Sequence, residues 1–213
     1  MAEASIPARL GRGLVRLIDA LLRRAYGVYV FDDDPVCILR LSLIRSRRDL
    51  LLADGTPVQR GDPVAVIHFW NERLPPMPAE GADLRWARQM MAQLRPSLRL
   101  LAQYLDSQPA LAAVPALCGE AAFIHAGNLP AGTSLLHRLG FELRPSVRTG
   151  AWGRFVRFWE NLYNWMLVWT FNPGSLRGKR MRDLERYWLW MSRAALQRLY
   201  GGNGQTRRPA PAA

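Results

Sequence analysis

The run Val-Ala-Val-Ile-His-Phe at residues 64–69 constrains this chain more than any other stretch. It follows a Gly61-Asp62 turn, is rich in β-branched and aromatic residues, and ends before Pro75-Pro76. A run of that length and composition is expected to be a buried strand. Its end delivers His68, Asn71, Glu72 and Arg73 in quick succession. Imidazole, amide, carboxylate and guanidinium at the mouth of an apolar strand form the densest polar cluster of this kind in the chain.

The surrounding pattern alternates helix and strand signals. Residues 7–25 carry Leu10, Leu14, Leu17, Ile18 and Leu21 at helical spacing, with Arg9, Arg12, Arg16 and Arg23 on the other face. This amphipathic helix is expected to pack on the protein's own sheet; an interfacial helix with a basic polar face is the alternative. Strands are expected at 28–31, 37–44, 50–53 and 64–69, the last three forming an antiparallel meander through the Asp54-Gly55 turn. The aspartates 32–34 are read as a turn rather than a calcium loop, because the further ligands are missing.

A long helix follows at 80–106, with Leu84, Ala87, Met91, Leu94, Leu98, Leu101 and Leu105 on one stripe and Pro96 expected to kink or divide it. Residues 116–125 suit a central strand and 128–132 a loop. Thr133 suits the cap of a short helix over 134–139 that ends at Gly140, and a strand follows at 141–147. The order argues for a mixed α/β domain of the α+β kind, with a mixed sheet and flanking helices.

From Trp152 the character changes. Trp152, Phe155, Phe158, Trp159, Trp165, Met166 and Trp169 crowd one helical stretch, and a second aromatic helix is expected at 183–199. The units read as an N-terminal helix (1–25), an α/β core (26–147), a basic aromatic helical pair (148–201) and a disordered tail (202–213). Between residues 148 and 208 there are twelve basic residues against three acidic ones, which accounts for most of the net charge of +12. Such an excess points to an anionic partner. Tryptophans beside arginines suit a bilayer headgroup layer, so Trp159, Trp165 and Trp169 are candidate membrane contacts. The uncharged run 162–171 is too short to span a bilayer. Intramolecular packing or dimerisation are the competing uses of these aromatics. Nucleic acid is the less favoured partner, since no recognition motif accompanies the charge.

Two cysteines, Cys37 and Cys118, form no CxxC pair and read as reduced core residues. With arginines interrupting the N-terminal apolar residues, no secretory leader is expected. The expected location is the cytoplasm, peripheral to the inner membrane. Three histidines without ligand spacing give no metal site. His68 is a candidate general base, oriented by Asn71 or Glu72. Arg73, His125 and Arg193 are candidate substrate-binding residues, and Glu120 is an outside candidate.

Several segments resemble the YkoP-like family, which occurs alone or joined to polysaccharide deacetylases. They are Asp54-Gly-Thr-Pro-Val-Gln-Arg-Gly-Asp-Pro63, Ile67-His-Phe-Trp-Asn71, Leu117-Cys-Gly119, Arg138-Leu-Gly-Phe141, Trp190-Met-Ser-Arg193 and Leu199-Tyr-Gly201, spread over residues 26–201. The resemblance implies a context in envelope lipid or polysaccharide metabolism, with envelope-biosynthesis enzymes as partners, and no settled activity. The element order, and Leu135-Leu-His-Arg-Leu-Gly-Phe-Glu142, also look like the GNAT acyltransferase fold. That resemblance implies acyl transfer from acyl-CoA. The segment Pro75-Pro-Met-Pro-Ala-Glu-Gly-Ala-Asp83, however, departs from the family's glycine-rich phosphate loop, so no phosphate cradle is recognisable. The alternative is a non-catalytic lipid- or protein-binding module on the same fold.

Overall fold

The computed structural model describes residues 6–78, 83–121, 136–146, 149–176, 180–181 and 184–202. The helices are α1 (Ile6–Ala25), α2 (Leu84–Ser107), α3 (Gly150–Phe171) and the short α4 (Arg193–Leu196). The strands are β1 (Leu39–Arg45), β2 (Leu50–Leu51), β3 (Pro57–Val58), β4 (Pro63–Phe69), β5 (Ala116–Ala121), β6 (Glu142–Pro145) and β7 (Tyr187–Ser192). Five of them form one mixed sheet in the order β1-β4-β5-β7-β6. Only β4 and β5 run parallel; the other neighbours are antiparallel. A parallel pair needs a crossover connection, and α2 supplies it.

Strand alternation divides the sheet into two faces. Leu39, Leu41, Ala65, Leu117, Leu189 and Met191 meet Leu94, Leu98, Leu101, Ala102 and Leu105 of α2 in the larger core. Val64, Val66, Ala116, Cys118 and Trp190 point the other way and are covered by Leu52 and Val58. α2 runs unbroken through Pro96 instead of dividing there. The next residue, Ser97, is fully buried; its hydroxyl accepts from Ile38 N and lies 2.7 Å from Gln93 O, tying the helix to the start of β1.

Three expectations are corrected. The meander is not one sheet: β2 and β3 form a separate hairpin around Asp54-Gly55. The strand expected at 28–31 is reduced to a single bridge, Tyr29 to Leu41. The second aromatic helix is mainly a strand, because residues 187–192 lie between β5 and β6 and hydrogen-bond to both. Period-two alternation there sends Leu189 and Met191 into one core and Trp190 into the other. The helical turn at residues 136–138 does end at Gly140, whose φ of +91° favours glycine. The tail 203–213, the loop 128–132, Thr133 and residues 122–125 lie outside the described residues.

α1 overturns the expected packing on the sheet. It lies antiparallel on α3, with Gly11 and Arg12 at Trp169 and Asp19 at Tyr163. The side turned inward is mixed: Asp19 is only 3% exposed and Val15 6%, with Ile18 and Leu22 half-buried. The leucine stripe points outward.

Candidate functional site

At the end of β4, Trp70 N bonds to Ile38 O and the chain tightens into a 3-10 turn, Asn71–Arg73. This turn lays the Arg73 guanidinium 3.5 Å from the centre of the Trp70 ring. Arg73 Nη1 donates to Asp34 O (2.7 Å) and Cys37 O (3.2 Å), so the residue clamps the 32–36 turn onto the strand end. Arg40 lies 4.4 Å from the same ring. Its Nη2 is 3.4 Å from Glu72, and the other Glu72 oxygen is 3.5 Å from Arg23 of α1. Arg23 Nε pairs with Asp19 at 3.1 Å, and the Tyr163 hydroxyl of α3 donates to Asp19 at 2.8 Å. A line of alternating charge thus joins the sheet to both helices.

His68 lies opposite Arg40 on the second face of the sheet. Its Nε2 is 2.9 Å from Ser42 Oγ. Desolvation holds the imidazole below its ordinary pKa of 6.5, so it is neutral at neutral pH. A neutral imidazole against a hydroxyl is a proton acceptor beside an exchangeable proton. The expected orienting residues do not serve it: Glu72 is held by two arginines, and Asn71 makes no side-chain bond to it among the described residues. Ser42 takes that place. The signal was present in the sequence, since Arg40 and Ser42 interrupt the leucines of β1 at alternate positions.

Across the sheet, Val66 is in register with Cys118, which sets His68 beside Glu120 two residues further on. Glu120 accepts from Arg186 Nη1 at 2.7 Å, and Arg186 Nε donates to Asn161 of α3 at 2.9 Å. Arg186 is 5% exposed and its Nη2 has no hydrogen-bond partner among the described residues. Arg40, His68, Glu120 and Arg186 therefore form one polar row at the C-terminal ends of β4 and β5. Arg186 and Asn161 lie far apart in the chain, and no spacing announced them.

The remaining candidates separate. Arg193 follows β7 where Ser192 pairs with Ala116, at the opposite end of the strands from His68. Its guanidinium donates to Leu105 O, Leu111 O, Ala112 O and Asp106, closing the end of α2. His125 lies outside the described residues. Of the three tryptophans, Trp159 is 53% exposed, Trp165 is half-buried, and Trp169 packs against Gly11 and Arg12 of α1. Trp152, Phe155 and Phe158 join Trp159 in an exposed aromatic cluster on the first turns of α3. Leu10, Leu14, Leu17 and Leu21 of α1 are between 57% and 71% exposed.

Among the described residues no group of three His, Cys, Asp or Glu side chains is placed to hold a metal ion. Cys37 and Cys118 are free and buried, and burial pushes the Cys118 thiol up to about 12. No helix is long and apolar enough to cross a membrane among the described residues. His68 lines neither the cleft beside Asp54, Glu142 and Trp190 nor the one between Pro76 and Gln89.

The YkoP domain matches residues 9–200, nearly the whole chain, and the protein belongs to that family. Neither a curated protein nor a solved structure matches it.

Proposed function

We propose that this YkoP-domain protein is a peripheral membrane protein that docks on an anionic bilayer through α1 and the exposed start of α3. The observation that carries this reading is the outward leucine stripe of α1. A helix of a water-soluble domain turns its apolar stripe inward. Here Asp19 and Val15 are buried against the protein while Leu10, Leu14, Leu17 and Leu21 face out. Arg9, Arg16 and Arg24 are exposed on the same helix, and the chain as a whole carries +12. Leucines on one side with arginines beside them match an interfacial helix lying in the headgroup layer. Trp152 (75% exposed) and Trp159 add amphipathic rings of the type that belong at that depth. Full transfer of each leucine from water contributes about 1.5–3 kcal/mol, so partial insertion of several is sufficient for reversible binding. The stripe covers about two heptads, short of the three or four that mark a coiled coil in sequence. In this reading the bilayer is the cytoplasmic face of the inner membrane, and the context is envelope lipid or polysaccharide metabolism.

Sedimentation with vesicles tests it. Wild-type protein is expected to bind vesicles containing phosphatidylglycerol and not those of phosphatidylcholine alone. Leu14→Ser/Leu17→Ser and Trp152→Ala/Trp159→Ala are each expected to reduce binding at least tenfold without changing the circular dichroism. Equal recovery of wild type and variants in the supernatant would sink the proposal, and a concentration-dependent dimer lost in Leu14→Ser/Leu17→Ser would replace it.

One observation favours acyl transfer on a GNAT-like scaffold as a second reading. The parallel partners β4 and β5 pair at Ala65–Leu117 and Val66–Cys118 only, and His68 and Glu120 lie just beyond. His68 is then the base that takes a proton from the acceptor, and Arg73 holds the strand end in place. Calorimetric titration with acetyl-CoA and a long-chain acyl-CoA decides this reading; no heat with either removes it.

A further inference from the structure

We propose that the cleft between the β2–β3 turn, the 136–142 turn, β7 and α4 binds a small, uncharged, hydroxyl-rich molecule such as a single sugar ring. It has a volume of about 280 Å³. That is just below the roughly 300–1,000 Å³ of ligand pockets and suits nothing larger than one ring. The site stands at the opposite end of β7 from the polar row and takes no part in the membrane proposal.

The chemistry of the walls selects the ligand. Asp54, Glu142, His137, Trp190, Ser192 and Arg198 line the cleft together with apolar residues that include Phe141 and Met191, both almost fully buried. The two carboxylates are already engaged by protein donors. Asp54 accepts from the Ser192 hydroxyl and from Thr56 N, which hold it below the usual carboxylate range. Glu142 accepts from Ala53 N and from Arg144. The side chains of Arg198 and His137 are exposed and make no hydrogen bond or ion pair among the described residues, although Arg198 stands near enough to Asp54 to help hold its carboxyl below the usual range. Trp190 Nε1 is buried without an acceptor and is closed to a ligand in the cleft.

A ligand must therefore bring acceptor oxygens for these donors. A full anion is disfavoured, because Asp54 and Glu142 remain charged and their counter-ions, Arg198 and Arg144, only balance them. Hydroxyl groups accept from Arg198 and His137 and also donate to the second lone pairs of the carboxylates. The apolar wall suits the C–H face of a ring. Gly140, with φ of +91°, holds the edge of the cleft: a Cβ there would stand 2.5 Å from Leu199 Cδ1.

The test is nuclear magnetic resonance of the indole N–H groups of the full ¹⁵N-labelled chain, which has eight tryptophans. Trp190→Phe identifies the resonance of Trp190. Methyl glucoside, N-acetylglucosamine and myo-inositol are titrated to millimolar concentrations, with inorganic phosphate and acetate as anionic counterparts. At least one of the neutral compounds is expected to move the Trp190 signal, and the exposed substitution Arg198→Ala is expected to weaken that binding about tenfold, or 1.4 kcal/mol. Arg198→Ala is expected to leave vesicle binding unchanged, which separates this site from the membrane face. A response to phosphate or acetate alone overturns the ligand class, and no response to any of the five overturns the site.

Discussion

The Tyr163 hydroxyl donates to Asp19 across 2.8 Å, and this bond between α3 and α1 sets which side of α1 meets the protein. Asp19 is nearly inaccessible, and Arg23 lies 3.1 Å from its other oxygen. A carboxylate held in this way costs heavily if its partners leave, because the desolvated charge has no replacement for water. The leucines point outward as a consequence.

Tyr163→Phe is therefore expected to lower stability by about 1.5–3 kcal/mol, the range for a hydrogen bond to a charged group. Thermal denaturation followed by circular dichroism should show a lower Tm, whereas Tyr26→Phe, at an exposed position, should leave it unchanged.

His68 gives the protein an acid-sensitive seam. Its folded pKa lies below the ordinary 6.5, so the unfolded chain takes up the proton first as the pH falls. Stability is expected to be fully present above pH 6.5 and to decline as the pH drops from there through the lower folded value. Urea midpoints measured from pH 8 to 5 should show this decline in wild type and a flatter profile in His68→Gln. An equal slope in both would place the titrating group elsewhere.

Trp159 and Trp169 should respond oppositely to truncation. Trp169→Ala removes the ring packed against Gly11 and lying 5.3 Å from the Arg12 guanidinium, and is expected to cost about 2–4 kcal/mol of stability. Trp159→Ala, at an exposed site, is expected to change stability by less than about 0.5 kcal/mol while weakening vesicle binding. Denaturant midpoints and sedimentation separate the two effects.

Arg193 closes the end of α2 and the turn after it through four acceptors. Arg193→Ala is expected to destabilise by about 2–3 kcal/mol. Arg193→Lys should recover only part of this, since an ammonium cannot span the same acceptors. No change in the lysine variant would show that charge, rather than the guanidinium fork, serves the helix end.

The native thiols should be inert. Cys37 and Cys118 are fully buried and burial raises both pKa values, so a thiol reagent at pH 8 is expected to label neither within minutes. Both should react once urea unfolds the chain.

Much of this fold was legible in residue order alone. The β-rich apolar run at 64–69, the helical stripe from Leu94 to Leu105 and the Asp54-Gly55 turn each encode a local structure through steric and hydrophobic preferences that do not depend on distant neighbours. The α+β class, and the polar cluster at the end of β4, follow from those local signals. Residues 187–192 mark the limit. Their aromatic residues satisfy a helical pattern as well as a strand pattern, and two flanking strands offering hydrogen bonds on both edges decide between them.

The partners of each charged group belong to the same limit. Glu72 was expected to orient His68, yet Arg23 from α1 and Arg40 from β1 draw it away, and Ser42 takes its place. Local sequence carries the propensity of a residue to sit in a strand, a turn or a helix. Which arginine reaches a given carboxylate, and which face of α1 turns to water, depend on elements brought together from well-separated parts of the chain. Those choices are set by desolvation and ion pairing in the assembled protein, as the bond from Tyr163 to Asp19 illustrates.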